Sequence, residues 1–263
     1  MSPFITLMIY PLEAVSILLL GIMVIAWIVS IFQKNAGIVD LAWGISIGLV
    51  AFIAFLMGDG ALIRRALFLS LVLLWAARLT CYLFIRYDEE KEDKRYARMR
   101  LKFGDQANLR FLLVFLFQGF LILLLTLFFF PINFNVNTDL SVFEWIGTVI
   151  VLVSLFGETI ADWQLYQFKK NKENRGKVLD SGLWGWSRHP NYFFEWTVWV
   201  GFAIFALGSP FGWLALLSAS LMFYLLWGLS GIPLAELEML EDRPSEYQRY
   251  QQQVSSFFPW PKR

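Results

Sequence analysis

A handful of polar side chains stand inside apolar runs of this chain, and their types and spacing are those of a binding or proton-transfer site. Glu158 and Asp162 are four apart, so on a helix they point to one face, and Tyr166 and Lys169 continue that stripe. Asn191 and Glu195 repeat the arrangement directly after Arg188-His189-Pro190. Asp40, close to Trp43 and Gly44, and Arg78 complete the set. An ionisable group at mid-membrane costs roughly 2.5–3.5 kcal/mol or more, so each is a functional candidate by default. The plain alternative is interhelical pairing, in which Arg78 neutralises Asp40 or Glu158 as a structural contact.

The segment Ser181–Glu195 is the most specific. Pro190 suits the first position of a helix, where its missing N–H costs nothing, and the free N–H groups there attract an anion. Arg188 and His189 flank that position; a histidine at a helix start is equally a structural residue. Two polar stretches, 86–110 and 169–188, are rich in lysine and arginine. Guanidinium groups bind phosphates bidentately and an ammonium binds them as a point charge, which makes Arg95, Arg98, Arg175, Arg188 and Lys169 the candidates to meet a phosphorylated cofactor. The same charges also serve to fix membrane topology and to touch anionic lipid.

The elements that position these groups are membrane helices. Of the 263 residues, 58% are hydrophobic, 18% aromatic and only 16% charged, and the mean hydropathy is +0.57. A soluble domain is nearer a quarter charged. A net charge of +1 gives no basic field for nucleic acid. Cys81 and His189 are the single Cys and His, which excludes an internal disulfide, a cysteine zinc site and any multi-histidine metal centre. No metal is expected.

Seven apolar segments, roughly 12–32, 38–57, 64–86, 109–130, 142–168, 190–208 and 211–231, are each near the ~20 residues that span a bilayer. The expected fold is therefore all-α, one membrane-embedded domain over 1–263, with its chemistry concentrated in 140–263. Lysine and arginine crowd the connections after the third and fifth spans, whereas the opposite face offers only Arg64 and Arg65. By the positive-inside rule the N-terminus lies outside and the C-terminus in the cytoplasm. Residues 233–263 read as a short amphipathic tail at the membrane surface, with aromatics such as Phe257-Phe258-Pro259-Trp260 dipping into it, while Tyr247 and Tyr250, on one face, equally line a site or anchor the tail.

Gly182-Leu-Trp-x-x-Ser-Arg-His-Pro-Asn-Tyr-x-x-Glu195, the acidic tail with Tyr247-x-x-Tyr250, Asn35 to Gly44, Glu92-Asp-x-Arg-Tyr96 and Glu158-x-x-x-Asp162 together resemble the steroid 5α-reductase-like superfamily. The resemblance is to a bacterial branch near the C-terminal domain of the 3-oxo-5α-steroid 4-dehydrogenases. It implies an inner-membrane reductase that takes NADPH from the cytoplasm and reduces an activated double bond of a lipophilic substrate drawn from the bilayer. It also implies cofactor-holding roles for Asp162, Lys169, Asn191, Tyr192 and Glu195, with Arg188 and His189 beside them. Adding hydride to an enone places charge on oxygen, so a donor is needed there. Asp40 kept neutral by burial, Tyr82 or Tyr87 would serve. The Gln-Glu pair that the steroid reductases carry on the second span is missing, and the basic residue after Asp162 is Lys169 rather than arginine. The Arg188-His189-Pro190-x-Tyr192 motif is also similar to that of isoprenylcysteine and phospholipid methyltransferases, which bind S-adenosylmethionine. That alternative stays open.

Overall fold

The computed structural model describes residues 3–262, with side chains from residue 11 onward. The helices are α1 (Pro3–Gln33), α2 (Ile38–Met57), α3 (Leu62–Arg86), α4 (Lys94–Phe103), α5 (Ala107–Thr126), α6 (Phe129–Asn133), α7 (Val142–Lys170), α8 (Pro190–Ala206), α9 (Leu214–Tyr224), α10 (Ile232–Asp242) and α11 (Pro244–Gln253). Among the described residues there is no strand, only an isolated bridge between Ser187 and Ser255. The fold is all-α.

Six helical stretches are long and apolar enough to cross a membrane: Pro11–Gln33, Ile38–Met57, Leu62–Arg86, Lys94–Thr126, Val142–Lys170 and Leu214–Asp242. The chain is an integral, multi-pass membrane protein. The sixth expected segment, 190–208, is α8, whose 17 residues measure about 26 Å at 1.5 Å per residue, the lower limit for a crossing. Two boundaries differ from expectation. The fourth span ends at Thr126, not near 130, and Pro131 lies within the short α6. The expected tail helix is two helices, because Pro244 can begin α11 but cannot continue α10. A π-helical turn at Leu225–Leu229 separates α9 from α10.

The chain divides into two compact units, Met1–Leu140 with Gly208–Leu214, and Ser141–Leu207 with Ala215–Arg263. In the first, α2 packs on α3, and α1 packs on α2 and α5. Its connections gather in two groups. Gly60 and Ala61 donate backbone N–H to the Asn133 and Asn135 carbonyls, each at 2.9 Å, and Asn135 Nδ2 donates to the Gly208 carbonyl and Ser209 Oγ, each at 3.0 Å. Arg64, expected as a surface charge, is 1% exposed. It donates to the carbonyls of Asn135, Asn137 and Asp139, so its charge is used to hold that loop. At the other ends of these helices, Asn35 Nδ2 donates to the Asp88 carbonyl, the Ala36 N–H to Glu92 Oε1 (both 2.8 Å) and Tyr87 Oη to Gln33 Oε1 (2.7 Å).

In the second unit α7 and α8 run antiparallel. Ser141 and Glu144 form a capping box that starts α7. A Cβ on Gly147 would lie 2.5 Å from the Phe205 N and 2.6 Å from the Gly201 O, so the two backbones touch. Lower down, Ser154 Oγ donates to Thr197 Oγ1 at 2.8 Å. Phe193, Trp196, Phe223, Trp227, Phe257 and Phe258 form one aromatic cluster that ties α8, the end of α9 and the C-terminal segment together.

Candidate functional site

The polar seam of the second unit lies between α7 and α8. Glu158, Asp162 and Glu195 are all buried there. Asn191 Nδ2 donates to Asp162 Oδ1 at 3.3 Å. A carboxylate only accepts, so the amide orientation is set, and Asn191 presents its carbonyl oxygen on the other side. That Oδ1 is buried with no protein donor. Glu195 Oε1 accepts from Trp199 Nε1 at 3.0 Å. Tyr192 stacks on the His189 ring, with centroids 5.5 Å apart and planes 7° from parallel. Asp162 and Asn191 are thus brought together, with Glu195 buried one turn further along α8 and Tyr192 beside His189. Lys169 and Arg175 are exposed at and beyond the end of α7.

Above the start of α8 the tail folds back. Gly182, at φ +61°, turns the chain so that Leu183 N–H donates to Gln164 Oε1 at 3.0 Å. Trp184 Nε1 donates to the Ala161 carbonyl at 3.0 Å, which docks the loop on α7. Arg188 Nε and Nη2 reach Glu236 Oε1 at 2.8 and 2.7 Å, and its Nη1 donates to the Gln251 and Val254 carbonyls at 3.1 and 2.6 Å. The sequence assigned Arg188 to phosphate; the structure instead engages its guanidinium with the tail. His189 Nε2 meets Glu236 Oε1 at 3.2 Å, and since the carboxylate cannot donate, the neutral ring carries its proton on Nε2. Burial pushes the imidazole below its usual pKa despite the opposing pull of Glu236, so His189 is neutral at pH 7. Gln251 Nε2 donates to Glu236 Oε2 at 2.8 Å. Tyr250 Oη donates to the Trp184 carbonyl, and burial raises the pKa of both Tyr247 and Tyr250, keeping them protonated.

The first unit holds a second polar group. Asp40 Oδ2 accepts from Arg95 Nη2 at 3.0 Å and Oδ1 from Tyr96 Oη at 2.6 Å. Arg95 Nε also meets Asp93 Oδ1 at 3.0 Å. Asp40, expected as a proton donor, is thus held by a guanidinium and a phenol, and Arg95 is engaged rather than open to phosphate. The partner of Asp40 is Arg95; Arg78 stacks on Tyr82 instead. Tyr87 donates to Gln33, and burial with the Glu89 and Glu92 charges raises its pKa. Arg98 is exposed on α4.

Sequence reasoning missed Tyr96, Glu236 and Gln251 as partners. Tyr96 had a signal, since it lies beside Arg95 in Glu92-Asp-x-Arg-Tyr96. Nothing in the sequence distinguished Glu236 from Glu238 or Glu241. Among the described residues no cluster of His, Cys, Asp and Glu could hold a metal ion.

The family described as "Protein of unknown function (DUF1295)" matches residues 26–254, and the chain belongs to it. This family is related to the steroid 5α-reductase-like proteins and to methyltransferases. An uncharacterized protein of Schizosaccharomyces pombe is 27% identical over 267 residues, covering 89% of this chain and 76% of that protein. A probable O-methyltransferase of Ustilaginoidea virens is 33% identical over 85 residues, 32% of this chain and 28% of that protein. No solved structure matches.

Proposed function

We propose that this DUF1295 protein is a membrane reductase that uses NADPH to reduce an activated carbon–carbon double bond of a lipophilic substrate such as a 3-oxo-Δ4 steroid. The reading follows the resemblance to the bacterial steroid 5α-reductase-like branch. The observation that carries it is the seam of Asp162, Asn191, Tyr192 and Glu195, with the Asn191 carbonyl oxygen buried and lacking a donor. A buried unpaired acceptor costs about 1–3 kcal/mol, so a ligand N–H there is favoured. A carboxamide or amino group supplies such a donor, and the residues fit the group to that extent.

In this reading Asn191 accepts a hydrogen bond from the cofactor, while Asp162 fixes the orientation of the Asn191 amide. Tyr192 offers a flat face backed by His189, and Glu195, held by Trp199, fixes the lower edge. Lys169 and Arg175, exposed and cationic, meet phosphate; Arg188 holds the tail over the start of α8 and leaves phosphate to them. NADPH supplies hydride when bound, and the protein provides position and a dry seam. The site faces the cytoplasm of an inner membrane, α8 is the sixth of seven crossings, and the substrate enters laterally from the bilayer.

A second reading, an S-adenosylmethionine-dependent lipid methyltransferase, is favoured by the relative named as a probable O-methyltransferase and by the engagement of Arg188 and Arg95 within the protein. A single measurement separates the two. Purified protein titrated calorimetrically is expected to bind NADPH more tightly than S-adenosylmethionine, and the reverse order would transfer the conclusion to methyl transfer.

A further inference from the structure

α4 carries five basic residues among its ten and no acid. Two of the five turn inward. Arg95 meets Asp40 and Asp93, and Arg100 meets Glu92 through Nε and Nη2 at 2.9 and 2.7 Å. Tyr96 and Phe103 lie on that same side, with their rings 6.5 and 5.5 Å from the ring of Phe111, and so set the inner face of α4 against α5. The outer face is set with it. Lys94, Arg98, Leu101 and Lys102 recur at i, i+4, i+7 and i+8 and are all exposed, Leu101 to 84%.

The neighbours of α4 give its depth. α5 has 20 residues, about 30 Å, and fills a hydrocarbon core of ~30 Å by itself. α4 precedes α5 and packs on Phe111, one turn inside it, so α4 lies at the membrane boundary. Trp27 of α1 donates its indole N–H to the Asn108 carbonyl at 2.8 Å, and an indole at that level suits the headgroup region. Leu109 and Leu113 on α5 are 61% and 62% exposed, a surface that meets lipid. A basic face with an exposed leucine at this depth is that of a helix lying in the interface, where cations meet anionic headgroups and the leucine reaches the acyl boundary. An acidic soluble partner would use the charges and not the depth.

We infer that the outer face of α4, from Lys94 to Lys102, rests on the surrounding membrane and binds anionic lipid headgroups there. Arg98 and Lys102 supply charge, and Leu101 is the anchor. The inner face of the same helix brings Arg95 and Tyr96 to Asp40, so the lipid also steadies that contact. The inference is independent of the cofactor reading, which concerns α7 and α8.

Amide hydrogen exchange of α4 in the full-length protein, held in nanodiscs of phosphatidylcholine with or without phosphatidylglycerol, tests it. Wild-type α4 should exchange more slowly in the anionic discs. Lys102→Gln should lose about fivefold in protection there, the factor for one basic residue at an anionic surface, and nothing in phosphatidylcholine alone. Leu101→Ser should lose protection in both lipids, because apolar insertion does not depend on headgroup charge. Lys91→Gln removes an exposed charge from the preceding loop and should leave α4 unchanged. Equal exchange in the two lipids, or an equal loss with Lys91→Gln, would overturn the lipid face. Protection found only in discs that hold two copies of the chain would overturn it too, and assign the face to a protein contact. Leu101 and Lys102 are exposed, so both variants keep the fold on which the comparison depends.

Discussion

At the scale of single residues, the proposal stands on Asn191 and its neighbours. Asn191→Ala removes the buried acceptor that faces away from Asp162, and Glu195→Ala removes the carboxylate held by Trp199. Each is expected to abolish NADPH binding by calorimetry while folded yield is largely kept; normal binding in both would remove the cofactor from this seam. Asp40 has a different expectation. Its side chain and that of Arg95 are 30% and 40% exposed, so the pair sits between surface and buried cases. Asp40→Asn should cost about 1–2 kcal/mol, and a cycle with Arg95→Gln should show coupling of ~1 kcal/mol, read by thermal unfolding. A cycle with Arg78→Gln should show none. Coupling to Arg78 and not Arg95 would contradict the observed pairing. The sequence marked Asp40 as important because an acid there is costly, but not its partner: Arg78 lay in a span while Arg95 lay in a loop, and only the fold of α4 joins Arg95 to α2.

At the scale of elements, α8 depends on what holds its start. Glu236 joins Arg188, His189 and Gln251, so one carboxylate fastens α10 and α11 to the corner before α8. The motif from Gly182 to Glu195 was legible because its residues are close in sequence and specific in type. The latch was not, since the choice of Glu236 among three glutamates depends on how α10 turns after the π-helical segment and Gly231. A pH dependence follows. His189 has a folded pKa lowered by burial, so the unfolded chain binds its proton first as pH falls. The stability it contributes is complete above the ordinary histidine value of about 6.5 and is lost as pH drops through the lower folded value. The unfolding temperature should therefore fall below pH ~6.5, and His189→Asn should flatten that part of the profile. An unchanged profile in the variant would show that His189 is not the group responsible.

At the scale of the whole molecule, the crossings follow from which connections meet. The links after α2 and α5 are joined, because Gly60 and Ala61 bond to Asn133 and Asn135. Asn135 also holds Gly208 and Ser209, so the link after α8 ends on that same side. α7 begins at Val142, directly after that loop, and α8 runs back along it until Phe205 lies against Gly147. The 17 residues of α8 run alongside α7 from Asp162 to Gly147. In the reading proposed above α8 also crosses, and seven crossings put the two termini on opposite faces. The face with the joined links carries Arg64 and Arg65 alone, and Arg64 is caged by carbonyls. In that reading the connections that carry Lys91, Lys94 and Arg98, and those that carry Lys169, Lys170 and Arg175, are cytoplasmic by the positive-inside rule. A tag at the C-terminus and a single cysteine placed at Glu90 are expected to be shielded in intact cells and reached only after permeabilisation, whereas a tag at the N-terminus is reached from outside. If both termini prove accessible from one side, α8 does not cross, and the seam on α7 and α8 would need another route to the cytoplasm.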